Sequence, residues 1–204
     1  PKISDPEFVI KNRKLYFKKL IAWTKISSSS LATRYHENGF IFSDAVGVIP
    51  DEEEKIFTTL ALLNTKLSLE FSHIVNPTMN TNINDIEGIP LAKPLCEEEE
   101  ITPKCKQCIL ISQNDWDSRE TSWDFRHNEL VRLKATDGSL QSSIKEYINY
   151  WTQQFFQLHS NEEELNKIFI EIYGLQDEMT PYVPLSDITI LKDEILERNE
   201  ESKT

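Results

Sequence analysis

The chain has 204 residues and a formal net charge of −12, and 39% of its residues are hydrophobic, including ten Phe, six Tyr and four Trp. This length and apolar content predict a folded protein of one or two domains and exclude an intrinsically disordered chain. Because no apolar run is long enough to span a bilayer and no signal peptide is recognisable, we expect a cytoplasmic protein without a membrane partner. The chain starts at Pro1 and not at Met, so we expect a piece of a longer polypeptide.

The net negative charge of the chain comes entirely from its second half. Residues 1–96 carry 11 Lys or Arg and 11 Asp or Glu, whereas residues 97–204 carry 11 and 23, a difference of 12. Residues 10–35 contain no acid and seven cations, namely Lys11, Arg13, Lys14, Lys18, Lys19, Lys25 and Arg34. This asymmetry predicts a phosphate-binding face in the first half and argues against a nucleic-acid contact in the second.

The first 50 residues have the character of strands and turns. Loosely alternating apolar residues predict short strands around Leu15–Trp23, although residues 11–20 also fit a helix. Four consecutive serines from Ser27 predict a hydroxyl-rich loop. Asn38–Gly39 predicts a hairpin turn that leads into a strand at Phe40–Phe42.

Residues 51–91 predict a helix, a polar connection and an extended segment. Asp51 is the expected N-cap of one amphipathic helix over residues 51–75. Residues 85–90 are predicted to be extended, because Gly88 and Pro90 interrupt regular structure there. The apolar positions with helical spacing are Ile56, Leu60, Leu63, Leu67 and Phe71.

An acidic linker is predicted at residues 96–107, and the rest of the chain has mainly helical periodicity. We expect short strands at Ile109–Ile111 and Ile188–Leu191, and two helices between residues 139 and 174. Asn161 is the expected N-cap of the second helix, and Gly174 its C-terminal stop.

Several motifs together indicate a family. The run Leu62–Lys66 followed by Ile86-x-x-Ile89-Pro90-Leu91 resembles the target-recognition domains of DNA methyltransferases and of type I specificity subunits. Over roughly residues 7–191 the chain resembles the PglX family, the adenine-specific DNA methyltransferases of BREX phage-resistance systems, C-terminal to their catalytic domain. The further segments that carry this resemblance are Tyr16–Lys19 with Ala22–Trp23, Gly39–Phe42, Asp115–Phe125 and Glu163–Glu178.

The resemblance implies an α+β fold of two parts. Residues 1–95 are expected to form a DNA target-recognition domain, with a small twisted, mostly antiparallel sheet packed on helices. Residues 108–204 are expected to form a mainly helical module. The implied partners are double-stranded DNA and the catalytic domain of the parent protein, with other defence-system proteins as further candidates.

The residues expected to contact DNA follow from side-chain chemistry. Lys and Arg neutralise phosphates, whereas hydroxyl and amide groups read base edges in the major groove. The candidates are Lys11, Arg13, Lys14, Lys18, Lys19, Lys25, Ser27, Ser28, Ser29, Ser30, Arg34, Tyr35, Thr78, Asn80 and Asn82. The simpler interpretation is that the serines form an ordinary loop and the lysines a solvated face.

Neither catalysis nor a metal is expected from this chain. Adenine methylation needs a glycine loop for S-adenosylmethionine and a motif such as Asn-Pro-Pro-Tyr, and the five glycines are never two residues apart. The resemblance assigns S-adenosylmethionine to the parent and no cofactor to this fragment. Cys105 and Cys108 have metal-ligand spacing, but without a second pair we expect free thiols in a reducing cytosol.

The segment Asp115–Phe125 alternates aromatic and acidic residues. Paired carboxylates suit metal binding or acid–base chemistry, but we favour Trp116, Trp123 and Phe125 as aromatic anchors in a core. The acids between them are then solvated or paired with Arg.

Two other functions fit the same sequence. The recognition domain also suits a type I specificity subunit or a fused restriction–modification enzyme. Alternatively, the chain is a protein-interaction module whose acidic, helical half docks other defence-system components.

Overall fold

The structure, a computed structural model, describes residues 12–27, 31–50, 55–92 and 98–191. The chain divides into two compact units, Pro1–Thr102 and Pro103–Thr204. The first unit contains a three-stranded antiparallel sheet with short helices, and the described part of the second contains helices and no strand. The α+β class is therefore confirmed.

The sheet is organised around its central strand. Strand β1 (Leu20–Thr24) pairs antiparallel with β2 (Thr33–His36) on one side and with β3 (Val46–Pro50) on the other. Successive side chains of a strand point to opposite faces. Because the first four residues of β1 are all buried, both faces of this strand are covered.

The described part of the helix predicted over 51–75 forms two helices, so the prediction of one helix was wrong. Helix α1 is Ile56–Leu63 and helix α2 is Lys66–Val75. The break occurs because Asn64 and Thr65 bond to the backbone with their side chains: Asn64 Nδ2 donates to Leu60 O at 3.0 Å and Thr65 Oγ1 accepts from Ser68 N at 3.3 Å. The predicted cap, Asp51, lies outside the described residues.

Asn64 also joins this break to the sheet. Thr33 N–H donates to Asn64 Oδ1 at 3.0 Å, and Asn64 Nδ2 lies 3.1 Å from Thr33 O and 2.9 Å from Thr33 Oγ1. Thr33 is buried in β2, so these bonds satisfy backbone groups that have little access to water.

Two extended segments predicted in the first unit were wrong. Residues 38 and 39 do form a turn, but Phe40–Phe42 is not a strand, because β1 already has β2 and β3 as neighbours. Residues 83–87 form the short helix α3 (Ile83–Glu87), since Asn82 and Asp85 make a capping box at its start.

Helix α4 (Glu98–Asp117) begins in the first unit and continues into the second, and it includes much of the predicted linker. Residues 98–107 are helical, and acidic side chains such as Glu99 and Glu100 suit the positive end of a helix dipole. Residues 109–111, predicted as a strand, belong to the same helix. A four-residue helix, α5 (Glu129–Arg132), follows.

Helix α6 (Leu140–Tyr173) is continuous over 34 residues, so the prediction of two helices was wrong. The buried Leu158 and Leu165 are seven residues apart, which is two helical turns, and the apolar face therefore continues past Asn161. Asn161 does not cap a helix: its Nδ2 donates to Gln107 Oε1 of α4 at 3.0 Å. Gly174 ends the helix in the left-handed conformation (φ 69°), as predicted.

The core of the second unit includes the segment after α6. Ile188 and Ile190, predicted in a strand, follow a 3-10 turn (Leu185–Asp187) without forming one. Both side chains are buried, and their cluster comprises Ile111, Phe155, Leu158, Val183, Ile188 and Ile190.

Substitution of Asn64 by Ala is expected to lower the free energy of unfolding by about 1–3 kcal/mol, because it leaves the buried Thr33 groups without partners. Urea unfolding followed by circular dichroism measures this change. Asn80→Ala is the matched control, since that exposed amide bonds to no described residue, and it should change stability by less than about 0.5 kcal/mol. Equal stability of both variants would contradict the structural role of Asn64.

Candidate nucleic-acid interface

Two of the predicted recognition segments meet at the C-terminal end of β1. Ser27 N–H donates to Met79 O at 3.0 Å, and Thr81 N–H donates to Lys25 O at 2.7 Å. Ile26 and Asn80 form an antiparallel bridge between these two bonds. The backbone thus fixes residues 78–82, the polar loop, beside residues 25–27.

Trp23 holds the polar loop from beneath, a role that the sequence analysis missed. Its indole Nε1 donates to Thr81 O at 3.0 Å. The ring lies over Gly47 on the neighbouring strand, where an added Cβ would be 2.2 Å from Cζ2 of Trp23. A Trp in a buried strand with a glycine nearby was the available signal, but only the fold shows that the two face each other.

A network centred on Asn76 fixes the polar loop internally. Thr78 Oγ1 donates to Asn76 Oδ1 at 2.7 Å, and Asn76 Nδ2 donates to Asp85 Oδ2 at 2.9 Å. Asp85 Oδ2 also accepts from Asn82 N at 2.7 Å. Thr78 and Asn82 therefore hold the loop in shape, while the side chain of Asn80 is exposed and bonds to no described residue.

The cations predicted around β1 lie mostly at its other end. Arg13 and Lys14 are in a 3-10 turn, and Lys18 and Lys19 immediately precede the strand. All four are exposed, and Lys19 makes a surface ion pair with Glu37 at 3.5 Å, which contributes little to stability. Four steps of about 3.3 Å put the two ends of β1 roughly 13 Å apart.

Arg34 and Tyr35 occupy opposite faces of β2. Arg34 pairs in register with Ala22 and is exposed, and together with burial its charge lowers the pKa of His36. The ring of Tyr35 packs 5.3 Å from that of Phe57 on α1, and its hydroxyl donates to Glu37 at 2.9 Å. Arg34 is therefore accessible to a ligand, and Tyr35 is mainly a packing residue.

Of the remaining residues predicted to contact DNA, only Lys25 and Ser27 are among the described residues. Lys25 and Ser27 are half-buried beside the polar loop. Lys11 and Ser28–Ser30 lie outside the described residues. Between residues 12 and 50, the described part of the chain carries six Lys or Arg against two acids, so this surface is positive although the whole chain is acidic.

The two tryptophans of Asp115–Phe125 are not core anchors, so that prediction was wrong for them, while Phe125 is half-buried. Trp123 is fully exposed and Trp116 is 56% exposed. Ser122 Oγ donates to Asp117 Oδ1 at 2.7 Å, and this bond closes the turn between the two tryptophans. The expected Arg pairing is present, because Arg119 lies 3.0 Å from Asp115.

Two thiols and a histidine of the second unit are wholly or partly buried. Burial raises the pKa of Cys105 to about 12, and burial with the charge of Glu162 raises the pKa of Cys108 to about 12. Both thiols are therefore protonated at neutral pH, which disfavours nucleophilic chemistry. His159 Nε2 lies 2.8 Å from Val183 O, so it fixes the segment after α6.

The described residues add two further observations. No described helix combines the length and apolar character that crossing a bilayer requires. In the same part of the chain, no three His, Cys, Asp or Glu side chains are grouped so that they could hold a metal ion.

Glu162 should make stability depend on pH. Burial raises its pKa from 4.5 to about 7, so between these values the folded protein keeps a proton that the unfolded chain has lost. Stability therefore falls as pH rises through this window. Glu162→Gln should reduce the difference in unfolding free energy between pH 5 and pH 8 by about 1–3 kcal/mol.

Urea unfolding at the two pH values measures this effect. Glu146→Gln, an exposed position on the same helix, is the matched control and should leave the pH dependence as it is. An unchanged pH dependence in Glu162→Gln would show that burial does not perturb this carboxyl.

No family model matches the chain, but two curated proteins do. The adenine-specific methyltransferase PglX of Lacticaseibacillus casei (strain Zhang) is 33% identical over 183 residues, which are 88% of this chain and 15% of that protein. The adenine-specific methyltransferase BrxX of Escherichia coli O9:H4 (strain HS) is 30% identical over 174 residues, which are 84% of this chain and 14% of that protein.

The chain thus spans about 15% of the length of the curated relatives that it matches. The resemblance to PglX predicted from the motifs is confirmed over most of this chain. The chain is similar to one segment of the adenine-specific methyltransferases PglX and BrxX.

Proposed function

We propose that this chain is the DNA-recognition region of an adenine-specific DNA methyltransferase of the BREX type. The similarity to PglX and BrxX supports the enzyme class, and the excess of Lys and Arg among the described residues between 12 and 50 supports the choice of duplex DNA as ligand. In this proposal the first unit contacts DNA, and the acidic second unit contributes no phosphate contact.

The observation that carries the proposal is the fixed position of the polar loop relative to the cations. Lys18, Lys19 and Arg34 are exposed, and in this proposal they neutralise phosphates and supply most of the affinity for DNA. The exposed amide of Asn80 is at the opposite end of β1, at a distance comparable with the width of a major groove, about 12 Å. An Asn amide can bond to N6 and N7 of adenine at once.

The rest of the parent protein would supply the chemistry. Methylation of adenine requires that the base leave the stack and enter a pocket beside the methyl donor, S-adenosylmethionine in this proposal. The chain described above would bind and orient the duplex for that step. Its affinity for DNA therefore determines where methylation occurs, and not how fast the methyl group is transferred.

A second candidate function rests on the exposed tryptophans. Trp is enriched at the centres of protein–protein interfaces, and Trp123 projects from a turn that hydrogen bonds hold closed. The second unit would then dock another defence-system protein. A type I specificity subunit or a fused restriction–modification enzyme is a third candidate, and it shares the DNA ligand with the main proposal.

We expect the chain to bind random-sequence duplex DNA with strong salt dependence. Several phosphate contacts should weaken binding roughly a hundredfold between about 50 and 200 mM salt. Reversing the charge of Lys18, Lys19 and Arg34 to Glu should weaken binding at least about tenfold at the lower salt concentration and flatten the salt dependence. Fluorescence anisotropy of a labelled duplex measures both effects.

The matched control reverses Arg126, Lys134 and Lys145 to Glu, three exposed cations of the second unit, and so changes the net charge equally. This control variant should bind duplex DNA as tightly as the unsubstituted chain does. Equal losses in both triple variants would mean that only net charge matters. Absence of binding at low salt would overturn the proposal for this chain and favour the docking function.

A further inference from the structure

A group of apolar side chains is exposed among the cations that precede β1. Phe17 is 62% exposed, Phe40 52% and Ile41 65%. Phe17 N–H donates to Phe40 O at 2.8 Å, so the two segments lie side by side. We call these three residues the apolar tip.

The aromatic residues next to the apolar tip are packed against the protein, whereas the side chains of the tip itself are exposed. The ring of Tyr16 lies 5.1 Å from that of Phe42 in an edge-to-face contact, and Phe42 packs on the buried residues of the sheet. Phe17 follows Tyr16 directly and yet points into solvent. Core packing therefore does not account for an aromatic side chain at position 17.

The backbone at Phe17 is strained as well. Its φ of 61° lies in the left-handed region, which a residue with a Cβ adopts at a cost and glycine adopts freely. Strain of this kind concentrates at functional sites. A bulky, exposed aromatic residue in this conformation disfavours the fold locally, so its side chain is expected to serve a ligand.

The charges beside the apolar tip identify the ligand class. Lys14 and Lys18 flank Phe17 in sequence and are exposed, and Lys19 is beside Lys18. Apolar wedges between cations are the means by which many proteins enter the minor groove, where a Phe side chain partly unstacks two base pairs and kinks the duplex.

We propose that Phe17 is a wedge residue that inserts between base pairs of duplex DNA while Lys14 and Lys18 hold the flanking phosphates. This inference rests on the proposed DNA-recognition function and adds a mode of contact to it. A partly unstacked duplex is easier to distort further, so the wedge would prepare the DNA for extrusion of a base by the parent enzyme. Phe17 is in this sense a positioning residue.

The test compares binding to a fully paired duplex and to the same duplex with one central T·T mismatch, at low salt. A mismatch lowers the cost of unstacking, so the unsubstituted chain should prefer the mismatched duplex by about tenfold. Phe17→Ala and Phe17→Gly should lose this preference, whereas Phe17→Leu, which keeps an apolar wedge, should retain most of it. None of these variants should change the salt dependence of binding.

Two controls separate a wedge from a structural role. Phe17→Gly relieves the left-handed strain, so its melting temperature should equal or exceed that of the unsubstituted chain. Trp123→Ala removes an exposed aromatic residue from the acidic unit and should leave the preference unchanged.

Each outcome decides between the explanations. The wedge is overturned, while DNA recognition stands, if Phe17→Gly keeps the preference for the mismatched duplex. The same conclusion follows if the unsubstituted chain has no such preference. A loss of folding in Phe17→Gly would show that the side chain is structural. Binding to phosphatidylserine vesicles without binding to duplex DNA would overturn the wedge and the proposed function together.

Discussion

The constraint on which the first unit depends is the complete enclosure of β1. Both edges of this strand are hydrogen-bonded and both faces are buried, so ligands can approach only from its ends or over its neighbours. The polar loop is at the C-terminal end, while the apolar tip and four cations are at the N-terminal end. A short strand thus separates a loop whose amides suit base edges from an end that carries cations and the apolar tip.

How much of this the sequence could predict depends on whether the deciding contact is local. The strand predicted within Leu15–Trp23, observed at Leu20–Thr24, and the stop at Gly174 were predictable, because apolar runs and left-handed caps are local signals. The division of the 51–75 helix was not, since Leu60, Leu63 and Leu67 continue the helical period across the break. The bonds from Asn64 to β2 add a non-local reason for an interruption there, beside the local cap that Thr65 forms.

The candidate site shows the same distinction. Side-chain chemistry identified cations and amides, but it gave equal weight to Thr78, Asn80 and Asn82, of which only Asn80 has a side chain directed to solvent without a described partner. It also placed Trp123 in a core, because most large aromatic side chains are buried, whereas this one is fully exposed. The sequence around Trp123 contains no local signal that would have predicted this exposure.

The contact between Gly47 and Trp23 links recognition to a position that no ligand touches. The indole ring fits over residue 47 only because that residue has no side chain, and the same ring holds Thr81 of the polar loop. Any larger residue at position 47 would move the indole and, with it, the backbone that presents Asn80. Under the proposed function, a change in the interior of the sheet would therefore alter the recognised DNA sequence while every residue of the loop stays the same.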